Sequence, residues 1–237
     1  MPLINPARSA SEPEINGPCL LIINPDEFRS AAAWARQRGA TSHRLYNGEL
    51  LELSEELGGW LAGPAVGAPM ATMSLEKLIA LGAKRFIVYG WCGALRPDYG
   101  IGDLLMGSWG ISEEGTSSHY PLATEPEPSP QLCAWLDERL KALGLKARSE
   151  KIWTTDAPYR ETRAKIEEYA QAGIAAVEME FSALLTVAAF RRVEIAGLFM
   201  VSDELYHEKW QPGFRAKSFQ KKSRRLIRQL AAEMVEL

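Results

Sequence analysis

Two acidic residues, Glu178 and Glu180, flank Met179, and a third, Asp203, follows 25 positions after the first. Carboxylates grouped in this way can accept hydrogen bonds from hydroxyls or stabilise positive charge in a transition state. With a raised pKa they can also carry a proton as general acid. Other chemistry-bearing patterns are missing from the chain. Gly100 and Gly102 are followed by Gly107, which does not make the GxGxxG fingerprint, and there is no P-loop, GxSxG or HExxH. His43, His119 and His207 are dispersed without metal-ligand spacing, and Cys19, Cys92 and Cys133 form no CxxC pair. No metal site is expected.

The acids sit where elements change. Ile174 to Val177 reads as a short buried strand. Phe181, Leu184, Leu185, Ala188 and Ala189 then fall on one helix face. Glu178, Met179 and Glu180 therefore occupy a strand-to-helix junction. Ile195 to Val201 is a second buried strand, ended by Ser202, Asp203 and Glu204. Ligands of open α/β sheets bind outside the carboxyl ends of strands, so both acids are placed for one pocket floor. Taken alone, Glu180 reads equally as an acid near a helix N-terminus, and Asp203 reads also as an N-cap.

Strands alternate with helices along the chain. Cys19–Ile23 and Phe86–Tyr89 read as buried strands, His43–Tyr46 and Leu104–Met106 as further strands, and Asn47-Gly48 as a turn. Helices are expected after Asn24 with a stop at Gly39, over Met70–Leu81, Gln131–Leu143 and Glu161–Ala170, and from Phe214 to the end. Gly90 to Ala94 reads as a strand-end loop, and the prolines of residues 121–130 as a stiff connector. This alternation argues an α/β fold. Residues 1–17 read as a flexible arm before one domain over 18–237.

The 237 residues are 46% hydrophobic and 24% charged, ordinary for a globular protein. A net charge of -3 gives no argument for a nucleic-acid or membrane partner. No apolar run approaches the ~18 residues needed to span a bilayer. With no basic segment and apolar run at the start and no cysteine framework, the expected location is cytoplasmic. The last helix is basic, with Lys217, Lys221, Lys222, Arg224, Arg225 and Arg228. Its apolar side, Leu226, Ile227, Leu230 and Met234, makes those charges a solvated outer face.

An ordered set of short motifs gives a more specific signal. It comprises Gly67–Pro69, Leu75–Ala83, Gly90–Leu95, Gly102-Asp103, Gly115–Ser117, Thr155–Tyr159, Val177–Glu180 and Val201–Asp203. This set resembles the nucleoside phosphorylase family, which includes bacterial hexameric purine nucleoside phosphorylases, uridine phosphorylases and methylthioadenosine nucleosidases. The resemblance covers about residues 62 to 206. It implies a three-layer α/β fold with a mixed, mostly parallel twisted sheet flanked by helices, and cleavage of the N-ribosidic bond of a nucleoside. Such cleavage passes through an oxocarbenium-like state that a carboxylate beneath the ribose can stabilise. Glu180 matches the family's ribose-hydroxyl acid, Met179 the residue packed on the sugar, and Glu178 belongs to the same motif. Asp203 matches the general acid for purines. Trp91, Cys92, Gly93, Pro158 and Tyr159 match the base-binding segments, and family members form homo-oligomers, dimers or hexamers.

The phosphate site departs from the family pattern. Val88 stands where phosphorylases carry an arginine, and Trp91 stands where a small hydroxyl residue donates to phosphate. Asn24 to Arg29 is a degraded version of the amino-terminal phosphate loop. Arg29, Arg44, Gly90 and Trp91 remain as phosphate-binding candidates, with Arg160 nearby and Arg44 in the region that reaches a neighbouring subunit. Pro158 replaces the family's stacking aromatic, and the insertion that reads uracil is absent, so a purine is favoured. The expectation is phosphorolysis with inorganic phosphate as co-substrate and no cofactor. Hydrolysis by the same pocket and non-catalytic nucleoside binding are the alternatives.

Overall fold

A computed structural model describes residues 3–46 and 48–237, so the Asn47 half of the expected turn lies outside the described residues. β1 (Cys19–Ile22) runs into α1 (Pro25–Arg36), then β2 (Thr41–Leu45), β3 (Gly48–Glu52), β4 (Trp60–Gly63) and α2 (Ala68–Ala80). β5 (Arg85–Ala94), β6 (Leu104–Glu113), α3 (Pro130–Ala142), β7 (Ala147–Thr155) and α4 (Arg163–Gln171) follow. The chain ends with β8 (Ala176–Glu178), α5 (Phe181–Arg191), β9 (Glu194–Glu204), β10 (Gln211–Pro212) and α6 (Lys217–Ala232).

The ten strands of the described residues join one mixed sheet, in the order β10-β9-β6-β7-β8-β5-β1-β4-β3-β2, and β9 also pairs with β5. That extra pairing closes β5, β8, β7, β6 and β9 into a ring. The other strands extend from β5 as an open wing. Parallel and antiparallel pairings are both present among the described residues and the two longest, β5–β9 and β6–β7, are parallel, so the sheet is mixed as expected. The antiparallel pairs come from the β2–β3–β4 meander, from β9 running beside β6 and β10, and from β8 against β5.

Alternate side chains of a strand face opposite sides, and β5 shows how this builds the layers. Phe86, Val88 and Cys92 join one buried cluster with α2 and α5, while Ile87 and Tyr89 join another with α1, α3 and α6. A third cluster, of Trp153, Ile166, Val177 and Leu205, lies under α4.

Two expectations change. Gly90 to Ala94 is strand rather than loop, because it pairs with β9 on one side and β8 on the other, with a register shift between Cys92 and Gly93. The amino-terminal stretch is docked. Ile15 is buried and its N–H donates to Leu81, while Lys77 binds the Ala7 carbonyl and the Glu12 carboxylate at 2.7 Å each.

Candidate active site

The carboxyl ends of β5, β8 and β9 and the segment after β7 meet at one cleft of about 530 Å³. Its wall includes Trp91, Cys92, Gly93, Pro158, Tyr159, Glu178, Met179 and Asp203. Two acids from separate segments thus converge, as does every residue expected to meet a base.

Glu178 ends β8 with its side chain buried. One carboxylate oxygen accepts the N–H groups of Glu180 at 2.7 Å and Phe181 at 2.8 Å, capping α5, and the other accepts the Thr154 hydroxyl. Burial outweighs these donors and pushes its carboxyl up to about 7. Asp203 is tethered by two donors, the Ser202 hydroxyl at 2.6 Å and the Trp210 indole N–H at 2.7 Å.

Glu180 departs from its expected place. It is the residue before α5, its carboxyl accepts the Gly67 N–H at 2.5 Å, and it does not border the cleft. The bend at Met179 and Glu180 turns it toward the start of α2 and leaves Glu178 on the wall. Its carboxyl is pushed up by burial first and then by the charge of Glu178. Two buried carboxyls this close cannot both ionise freely.

The phosphate candidates are not brought together. Arg29 is exposed and pairs with Asp26 one helical turn away, and Arg44 lies on the far wing in β2. Gly90 is buried in β5, where an added Cβ would meet the Phe199 ring at 3.1 Å, and Arg160 is exposed. Of the named phosphate candidates only Trp91 reaches the cleft, with its ring packed edge-on to Phe219 at 5.2 Å and stacked on Phe214 at 6.1 Å. Val88 is sealed in the core.

Glu161, Arg163, His207, Glu208 and Trp210 are among the cleft residues that escaped the sequence reading. Arg163 donates to the carbonyls of Leu205, Tyr206 and His207, fastening the segment after β9 to α4. Glu161 and Arg163 directly follow the Thr155–Tyr159 motif, which could have flagged them. Trp210 lies in an irregular loop that no periodicity marks.

Residues 26–236 match the profile of the phosphorylase superfamily. A guanosine phosphorylase of Halorubrum lacusprofundi is 25% identical over 146 residues, 61% of each chain. The chain thus spans about three fifths of the length of this curated relative. Among solved structures, a purine nucleoside phosphorylase of Toxoplasma gondii superposes with a TM-score of 0.81 at 18% identity, covering 94% of this chain and 92% of that one. An AMP nucleosidase of Bacteroides thetaiotaomicron gives 0.69 at 20% identity, covering 91% and 86%. These two likenesses concern the fold.

Proposed function

The chain belongs to the phosphorylase superfamily, and from that membership we propose that it cleaves the N-ribosidic bond of a purine nucleoside. The observation that carries this reading is the convergence of Glu178 and Asp203 on one cleft. In this reading the sugar lies over Met179 near Glu178, whose carboxylate stabilises the oxocarbenium-like charge. Glu180 acts from behind, setting the charge of Glu178 through their shared burial. The base lies toward Gly93 and Asp203, with Pro158 and Tyr159 at the mouth. Asp203 supports a purine because it stands at the strand end that matches the family's acid for purines.

The charge of the cleft supports water as the nucleophile. Its wall carries Glu161, Glu178, Asp203 and Glu208, against Arg163, already bound to backbone carbonyls, and His207, paired with Glu204 at 2.8 Å. A phosphate dianion needs arginine forks or free N–H groups, and this chain brings none of its candidate arginines there. Phosphorolysis is the second reading, favoured by the guanosine phosphorylase relative. It requires a neighbouring copy to supply Arg44 in a dimer or hexamer. Homo-oligomerisation is part of this proposal, and purely monomeric sedimentation would remove the second reading. Non-catalytic nucleoside binding is the third, and it predicts thermal stabilisation by nucleosides without turnover. Three unpaired cysteines support a cytoplasmic setting. Among the described residues no helix is long and apolar enough to cross a membrane.

Product analysis tests the reading. Purine nucleoside incubated with the protein should yield free base and ribose at the same rate with or without phosphate. Formation of ribose 1-phosphate, with no reaction in its absence, would replace water by phosphate.

A further inference from the structure

The cleft holds a carboxyl that the assignments above leave unused. Glu161 borders the cavity just beyond the 3-10 turn Pro158–Arg160. Its backbone N–H donates to the Pro158 carbonyl. Its carboxyl has no hydrogen-bond partner among the described residues, whereas both oxygens of Asp203 are held by Ser202 and Trp210. The two acids border the same cleft from separate elements, one from the segment before α4 and the other from β9. Asp203 is therefore a fixed charge, and Glu161 is the acid free to meet a ligand.

We propose that Glu161 donates the proton to the departing base, and that Asp203 is the charge that keeps this proton in place until the base leaves. The inference rests on the proposed N-ribosidic cleavage and names its acid. As the bond from the sugar carbon to the base nitrogen breaks, its electron pair stays on the base. The Glu161 proton passes to a ring nitrogen of the base. Water adds to the sugar carbon, and the proton it loses restores Glu161.

The surroundings fit this role. Burial and the neighbouring Asp203 push the Glu161 carboxyl up to about 7, which suits an acid working near neutral pH. The other titratable and charged groups on the wall are Glu178 from β8, Cys92 from β5, Tyr159 after β7, His207 and Glu208 after β9, and Arg163 from α4. Cys92 is held as a neutral thiol by burial, then by Asp203 and Glu178. Arg160, the residue before Glu161, is exposed and does not border the cleft, and the Arg163 guanidinium is turned to the Leu205–His207 carbonyls.

Two substrates separate this role from a structural one: a purine nucleoside, whose base needs a proton, and 4-nitrophenyl riboside, whose leaving group does not. Glu161→Gln should lower kcat/KM on the nucleoside by about 100-fold or more, as expected for loss of a general acid, and leave the nitrophenyl substrate within about threefold. Glu161→Asp, which keeps a carboxylic acid, should recover part of the nucleoside activity. In the wild type the nucleoside rate should fall as pH rises through about 7. In Asp203→Asn that limb should move to lower pH, because the charge holding the proton is gone. Equal losses on both substrates, or an unmoved limb in Asp203→Asn, would overturn the inference while leaving the cleavage reading intact. Failure of the wild type to cleave either substrate would overturn both.

Discussion

Glu178 does two jobs with one carboxyl, and its placement decides what the neighbouring acids can do. It caps α5 through two backbone N–H groups and also forms cleft wall. Removing it by Glu178→Ala leaves those donors unpaired in a buried place and should cost about 1–3 kcal/mol of stability, read from denaturant midpoints. The pH dependence has a definite sign. Glu178 binds its proton more tightly when folded, at about 7, than the unfolded chain does near 4.5. Its contribution is complete below about 4.5 and lost as pH rises through about 7, so Glu178→Gln should flatten the fall in stability between pH 5 and pH 8. At this scale the acids were legible as a group, because both segments end buried strands, where ligands of open α/β sheets bind. Their roles were less legible. One bend after Glu178 sends Glu180 to Gly67, and a strand-helix pattern carries no record of such a bend.

Phe181, the first residue of α5, sets how closely the helix approaches the sheet. Its ring lies over Gly107 of β6 and Gly197 of β9, which are register partners. An added Cβ would meet ring atoms at 2.6 Å on Gly107 and 2.5 Å on Gly197. Those distances are too short for a side chain, so both glycines make the pocket into which the junction is set. Gly197→Ala should push α5 outward, cost about 1–3 kcal/mol in thermal or chemical unfolding, and lower turnover by shifting Glu178. A variant with wild-type stability and turnover would show that the helix start does not position the acids. α4 is held from the other side, where Lys165, Tyr169 and Trp153 all bind the Glu113 carboxylate at 2.6–3.0 Å. Helices were readable from period and punctuation, as Gly82 after α2 and Gly144 after α3 show. The extension of β5 through Gly90–Ala94 was not, since glycine is a poor strand former and only pairing to β8 and β9 makes it one.

Across the molecule, the ring of β5, β8, β7, β6 and β9 gathers three strand ends and the segment after β7 at one mouth, and the acids belong to that mouth. Alternation of strands and helices revealed the class of fold. Ring closure was hidden, because it depends on β9 pairing with β5 and β6, both far from it in sequence. The open wing carries Arg44 away from the cleft, so any cation from that wing reaches a cleft only in an assembly. The central claim is that acids converging at the mouth split a nucleoside. Its most direct measurement is release of free base from a purine nucleoside in phosphate-free buffer, followed by absorbance, for the wild type and Asp203→Asn. The account predicts release by the wild type and a rate at least about 100-fold lower in a variant that keeps its circular dichroism and melting temperature. Equal rates in the two proteins, or no release by the wild type from any purine nucleoside with or without phosphate, would contradict it.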